Sequence, residues 1–148
     1  MTMDLQTIIN NAMAAKRAED LQESGQIVLI ELIMSLKSAD PNLPIIFDLN
    51  KCHPGDIGSW RGSYNELAIE WEDRGTPPTV AEFLTQLYEV NGATLTGYKG
   101  GEYKMHKLTP LWVANWGDSS GPGGNMIAVT GVVQEQDYVT IETRETEY

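Results

Sequence analysis

Ser59-Trp60-Arg61-Gly62-Ser63-Tyr64-Asn65-Glu66-Leu67-Ala68-Ile69-Glu70-Trp71 changes rhythm partway along, and that change decides the fold. From Tyr64 onward the side chains alternate. Tyr64, Glu66, Ala68 and Glu70 fall on one side, and Asn65, Leu67, Ile69 and Trp71 on the other. A period of two predicts a half-buried strand. The first half is a turn in which Gly62 lets the backbone bend and leaves Trp60 and Arg61 at a strand mouth. An aromatic plate beside a planar guanidinium suits a flat, anionic ligand: the ring stacks and the fork binds phosphate at two points. The plainer alternative is that Trp60 caps the core and Arg61 pairs with a nearby carboxylate.

Working outward, residues 4 to 37 have helical spacing. Leu5, Ile8, Ile9, Ala12 and Met13 form one stripe, Asp4 caps the start, and Gly25 separates this helix from a second that begins at Gln26. Between Ile27 and Leu36 that second helix is apolar on nearly every side, so either the first helix or another subunit covers it. Asp40 to Pro44 is a loop with two prolines, and Ile45 to Leu49 a short buried strand. Residues 50 to 58 read as a long polar turn. The two strands around it make a wide hairpin whose loop carries Lys51, Cys52, His53, Asp56 and Arg61.

After a loop from Asp73 to Pro78, Thr79 and Glu82 form a capping box. Val80, Phe83, Leu84, Leu87 and Val90 make the buried stripe of the helix, and Asn91-Gly92 ends it. Thr94 to Met105 is a hairpin turning at Lys99-Gly100-Gly101. Leu111 to Trp116 is a strand with large residues on both faces, so the sheet is expected to be covered on both sides. Ser119 to Asn125 reads as a mobile turn, Met126 to Val133 and Tyr138 to Thr143 as strands, and the acidic end as frayed. These elements predict one α+β domain over residues 1–148. Residues 1–38 would be helical and assemble a homo-oligomer, and residues 44–144 would form the ligand-binding part.

Charge and cysteine content narrow the function. The net charge of −11, from 21 acidic against 10 basic residues, repels DNA and RNA at long range. It leaves room for a small anion held at short range by a few cations, and for a protein that imitates DNA. A single cysteine excludes an internal disulfide, and no apolar run reaches spanning length. A reducing cytoplasm and no membrane are therefore expected. Cys52, His53 and His106 are too few for a zinc site, and carboxylates do not cluster for magnesium, so neither metal nor cofactor is expected. A Cys52–His53 nucleophile pair conflicts with the opposite directions of neighbours on an extended chain. Ser119 and Ser120 lack a nucleophile elbow, and Gly121-Pro122-Gly123-Gly124 lacks the Lys-Ser or Lys-Thr of a phosphate loop. The reading is therefore not an enzyme. Lys99, Lys104, His106 and Lys107, interleaved with Tyr98 and Tyr103, form a cationic cluster that otherwise serves as a solvated strand edge.

Three strings, Ser59 to Ala68, Thr96-Gly97-Tyr98-Lys99-Gly100-Gly101 and Thr109-Pro110-Leu111-Trp112-Val113-Ala114-Asn115, resemble a family of small phage proteins. It is the first-described Thoeris anti-defence family, the sponges for cyclic ADP-ribose isomers, and the similarity covers roughly residues 44 to 133. The resemblance implies a non-catalytic homo-oligomer, a dimer or hexamer, that sequesters a cyclic nucleotide and silences a bacterial immune effector. It also implies that other cyclic nucleotides are held at separate sites between subunits. No ligand contact is carried over from the family. Residue chemistry nevertheless offers Arg61 and Lys99 for phosphates, Asn65 or Asn115 for ribose, and Trp60, Tyr64 or Tyr98 for a base. A sponge needs nanomolar affinity, about −12 kcal/mol, and so near-complete enclosure of its ligand. The alternatives are an acidic DNA-mimic or protein-binding inhibitor of a host defence enzyme, and a small hydrolase of the signal.

Overall fold

A computed structural model describes residues 4–6, 8–9, 12–13, 16–17, 24–49, 51–115 and 118–146. The chain has an α+β fold built on a curled six-stranded sheet. In chain order the elements are α1 (Leu29–Lys37), β1 (Ile45–Phe47), β2 (His53–Trp60), β3 (Ser63–Glu72), α2 (Val80–Val90), β4 (Thr94–Thr96), β5 (Glu102–Lys104), β6 (Leu111–Val113), β7 (Met126–Gln134) and β8 (Val139–Thr146). The large sheet runs β1-β8-β7-β6-β3-β2, and β4 and β5 form a separate two-stranded ribbon. Pairing is antiparallel except for β1 with β8 and β3 with β6. The curl brings the two edges together, where Phe47 at the end of β1 donates its N–H to the Cys52 carbonyl just before β2, at 2.8 Å.

Strand alternation sorts the side chains into two layers. Leu67, Ile69, Leu111, Val113, Ile127 and Val129 face a large core roofed by α1 and α2. Trp60, Ala68, Trp112, Ala114 and Ala128 form a second cluster. The expectation that both faces are covered holds, since Trp112 is 5% exposed and Trp60 only 1%. Helix α2 follows its sequence signals closely. Glu82 N–H donates to Thr79 Oγ1 at 3.2 Å, Thr79 N–H donates to Glu82 Oε1 at 3.1 Å, and Gly92 takes the left-handed conformation beyond the end. The hairpin of β4 and β5 also lies where the sequence puts it, with Gly100 and Gly101 at positive φ.

Three expectations are corrected. The second helix begins at Leu29 rather than Gln26, because Ile27 N–H donates to the Val129 carbonyl and Val28 bridges Pro110. The N–H groups of Leu29 and Ile30 then end on the carbonyls of Thr109 and Lys107, which occupy donors a helix start leaves open. Residues 53 to 58 are strand, not the loop of a wide hairpin. β2 is a terminal strand of the sheet, so the missing N–H of Pro54 breaks no interior ladder, and a register shift between Pro54 and Ile57 absorbs the irregularity. The real hairpin is β2–β3, turning tightly at Arg61 and Gly62. The C-terminal strand also runs to Thr146, paired with Met126, where fraying was expected.

The turn after β6 is anchored as well. Gly121 is buried against the Ile127 side chain and the Val113 carbonyl, where a Cβ would collide. The described residues between 5 and 17 are helical, with Leu5, Ile8, Ile9 and Met13 exposed. The other residues of the first expected helix, and Trp116, lie outside the described residues. No helix among the described residues is long and apolar enough to cross a membrane. Thr79→Ala removes the reciprocal cap of α2, and about 1 kcal/mol of stability should go with it. Urea unfolding should show a lower midpoint with an unchanged slope.

Candidate functional site

Arg61 sits in the tight β2–β3 turn, so its side chain is carried out from the end of two paired strands. Tyr98 lies in the β4–β5 turn. The two meet, with the Arg61 guanidinium carbon 3.9 Å from the centre of the Tyr98 ring. Tyr98 is 48% exposed, which leaves this cation–π pair at the surface. Asn115, just past β6, lines the same hollow with Ser59, Glu70 and Asp118. The Asn115 side-chain carbonyl accepts the Trp71 N–H at 3.0 Å, which sets its orientation from the strand behind it. The hollow itself is narrow, about 10 Å³.

Three of the seven expected ligand residues therefore converge: Arg61, Tyr98 and Asn115. Lys99 is exposed in the turn next to Tyr98. The other three have different places. Trp60 is not a free plate at a strand mouth; its ring stacks on Trp112 with centroids 3.9 Å apart and 12° between planes. Its indole N–H donates to the Ser119 carbonyl at 3.1 Å. Tyr64 packs against Tyr103 at 5.4 Å, over Gly97, which has no room for a Cβ. Asn65 is exposed and accepts a hydrogen bond from Ser63 Oγ at 2.7 Å. Gly62 also has another reason than the one its turn implied. A Cβ there would lie 2.6 Å from the Trp60 ring, so the glycine makes room for the indole.

A second and larger hollow lies on the Trp60–Trp112 side, a cleft of about 460 Å³ lined by those tryptophans, Arg17, Gln26, Glu66 and Thr146. Glu66 is only 8% exposed. Its Oε1 accepts the Trp112 indole N–H at 2.8 Å and an Arg17 N–H at 3.1 Å. Glu66 and Arg17 were not nominated from sequence as site residues, and Trp112 was read only as one of the large aromatic residues of the strands. The alternation of β3 contained part of the signal, because it set Glu66 directly beside Ala68 on one face of the strand, where Glu66 is buried.

Cys52 is buried, and burial, followed by the nearby Asp73 charge, pushes its thiol above the usual range. That is the reverse of an activated thiolate. His53 Nε2 lies 2.8 Å from the Arg74 carbonyl, and His106 Nδ1 accepts the Leu108 N–H at 3.2 Å. Among the described residues no three His, Cys, Asp or Glu side chains are grouped to share a metal ion. Comparison with protein-family models, curated proteins and solved structures found no match to this chain.

Two measurements check this arrangement. Gly62→Ala should lift Trp60 from Trp112 at a cost of about 1–3 kcal/mol. The loss should appear as a weakened tryptophan signal in near-ultraviolet circular dichroism and a lower melting temperature. Cys52 should alkylate far more slowly than a free thiol at neutral pH, and its rate should keep rising above the pH at which an ordinary thiol has levelled off.

Proposed function

We propose that this chain is a phage anti-defence protein that binds and sequesters a cyclic nucleotide immune signal of the cyclic ADP-ribose type without cleaving it. It acts in the cytoplasm of the host cell. The observation that carries the reading is the meeting of Arg61, Tyr98 and Asn115 from three separate segments of an acidic chain. A guanidinium for phosphate, an aromatic ring for a base and an amide for ribose are the groups such a ligand requires. The three strings that resemble the sponge family also supply these residues, since Arg61, Tyr98 and Asn115 each lie in one of them.

Size adds a condition. A hollow of about 10 Å³ holds no nucleotide, whereas ligand sites usually measure about 300–1,000 Å³. The nucleotide would lie across the mouth, and a second subunit would complete the enclosure. The exposed apolar side chains of Leu5, Ile8, Ile9 and Met13, at helical spacing, support a homo-oligomer of this kind.

A second reading is favoured by Glu70 and Asp118, which line the same hollow as Arg61. In that reading the carboxylates hold the guanidinium, and the acidic surface meets a host defence enzyme. One experiment separates the two. The protein is incubated with cyclic ADP-ribose isomers, freed of unbound ligand and denatured, and the released material is analysed. Intact nucleotide is expected; altered nucleotide would mean hydrolysis, and nothing released would favour the protein-binding inhibitor. Arg61→Ala should weaken binding by about 2 kcal/mol or more in calorimetry while the melting temperature stays put. Unchanged affinity would take Arg61 out of the site.

A further inference from the structure

The cleft on the Trp60–Trp112 side has a chemistry opposite to that around Arg61. Its centre is a carboxylate, Glu66, 92% buried beside two stacked indoles. Burying a carboxylate among aromatic rings is costly unless it gains hydrogen bonds and a countercharge. Here both hydrogen bonds end on Oε1. A guanidinium satisfies a carboxylate best through two parallel bonds, one to each oxygen. Arg17 makes only one of these, through a single Nη, and its side chain remains 44% exposed. Thr146 adds a buried Oγ1 with no hydrogen-bond partner among the described residues. Trp60, Trp112 and Met126 provide an apolar wall for an aliphatic stem. About 460 Å³ is within the range of small-ligand sites.

We propose that this cleft is a recognition site for a small alkylguanidinium compound, with Arg17 as an internal competitor for Glu66. The ligand's guanidinium takes both carboxylate oxygens, its stem lies along Trp112 and Met126, and Arg17 swings out to solvent. No covalent bond is made or broken. The cleft is separate from the hollow around Arg61, so it stands or falls apart from the nucleotide reading.

The test is a calorimetric and tryptophan-fluorescence titration with n-butylguanidinium, with n-butylurea as the uncharged control of the same shape. Saturable one-to-one binding of the guanidinium, and none of the urea, is expected. Removing the competitor by Arg17→Ala should tighten binding about tenfold. Glu66→Gln keeps an acceptor for the Trp112 indole but removes the charge, and should weaken binding about tenfold or more, moving the fluorescence titration to correspondingly higher ligand concentration. Arg61→Ala should leave it unchanged. Equal binding by a folded Glu66→Gln protein, equal binding of the urea, or no saturable binding even to Arg17→Ala would each overturn the proposal. If Glu66→Gln fails to fold, the Arg17→Ala titration and the urea control still decide.

Discussion

Trp60 lies flat on Trp112, and the position of nearly every other group of interest follows from that contact. Trp60 ends β2 and Trp112 sits in the middle of β6, two strands that do not pair with each other because β3 runs between them. The stack ties the tip of the β2–β3 hairpin back onto the sheet. With Trp60 held down, its neighbour Arg61 is carried into the turn, within reach of Tyr98 in the β4–β5 turn. The absence of a side chain at Gly62 is what lets the indole lie so close to the turn.

Two unlike hollows are lined by residues near this contact. Beside Arg61, a guanidinium rests on an exposed ring near an amide, in a hollow that also contains two carboxylates. In the cleft lined by the tryptophans themselves, a buried carboxylate receives an indole N–H and an N–H of Arg17. The chain carries a net charge of −11, yet its ionic groups act here one at a time and at short range. Within a Debye length of about 8 Å, a single well-placed cation or anion outweighs the diffuse field of the rest. A global charge count therefore says little about what either hollow accepts.

How much of this was legible depends on whether a signal is local. The capping box at Thr79, the glycines of the β4–β5 turn, the two-faced alternation of β3 and the span of β7 are decided within a few residues, and each appeared where it was read. Residues 53 to 58 were misread because Pro54, Gly55 and Gly58 are turn formers by composition. Only a place at the edge of a sheet lets such a segment run as strand. The start of α1 was missed for a similar reason. Residues 26 to 28 have helical periodicity, but their backbone groups are taken by β7 and Pro110.

By itself the sequence determined the α+β class, the α2 helix with both its ends and the period of β3, since all of these are set by side-chain spacing and local backbone preference. Only the tertiary structure decided which aromatic meets which cation. Spacing nominated Trp60 as the partner of Arg61, but the curl of the sheet buries Trp60 on Trp112 and brings Tyr98, 37 positions along the chain, under the guanidinium. Contacts between distant segments depend on strand order and register, and no short window of residues encodes those.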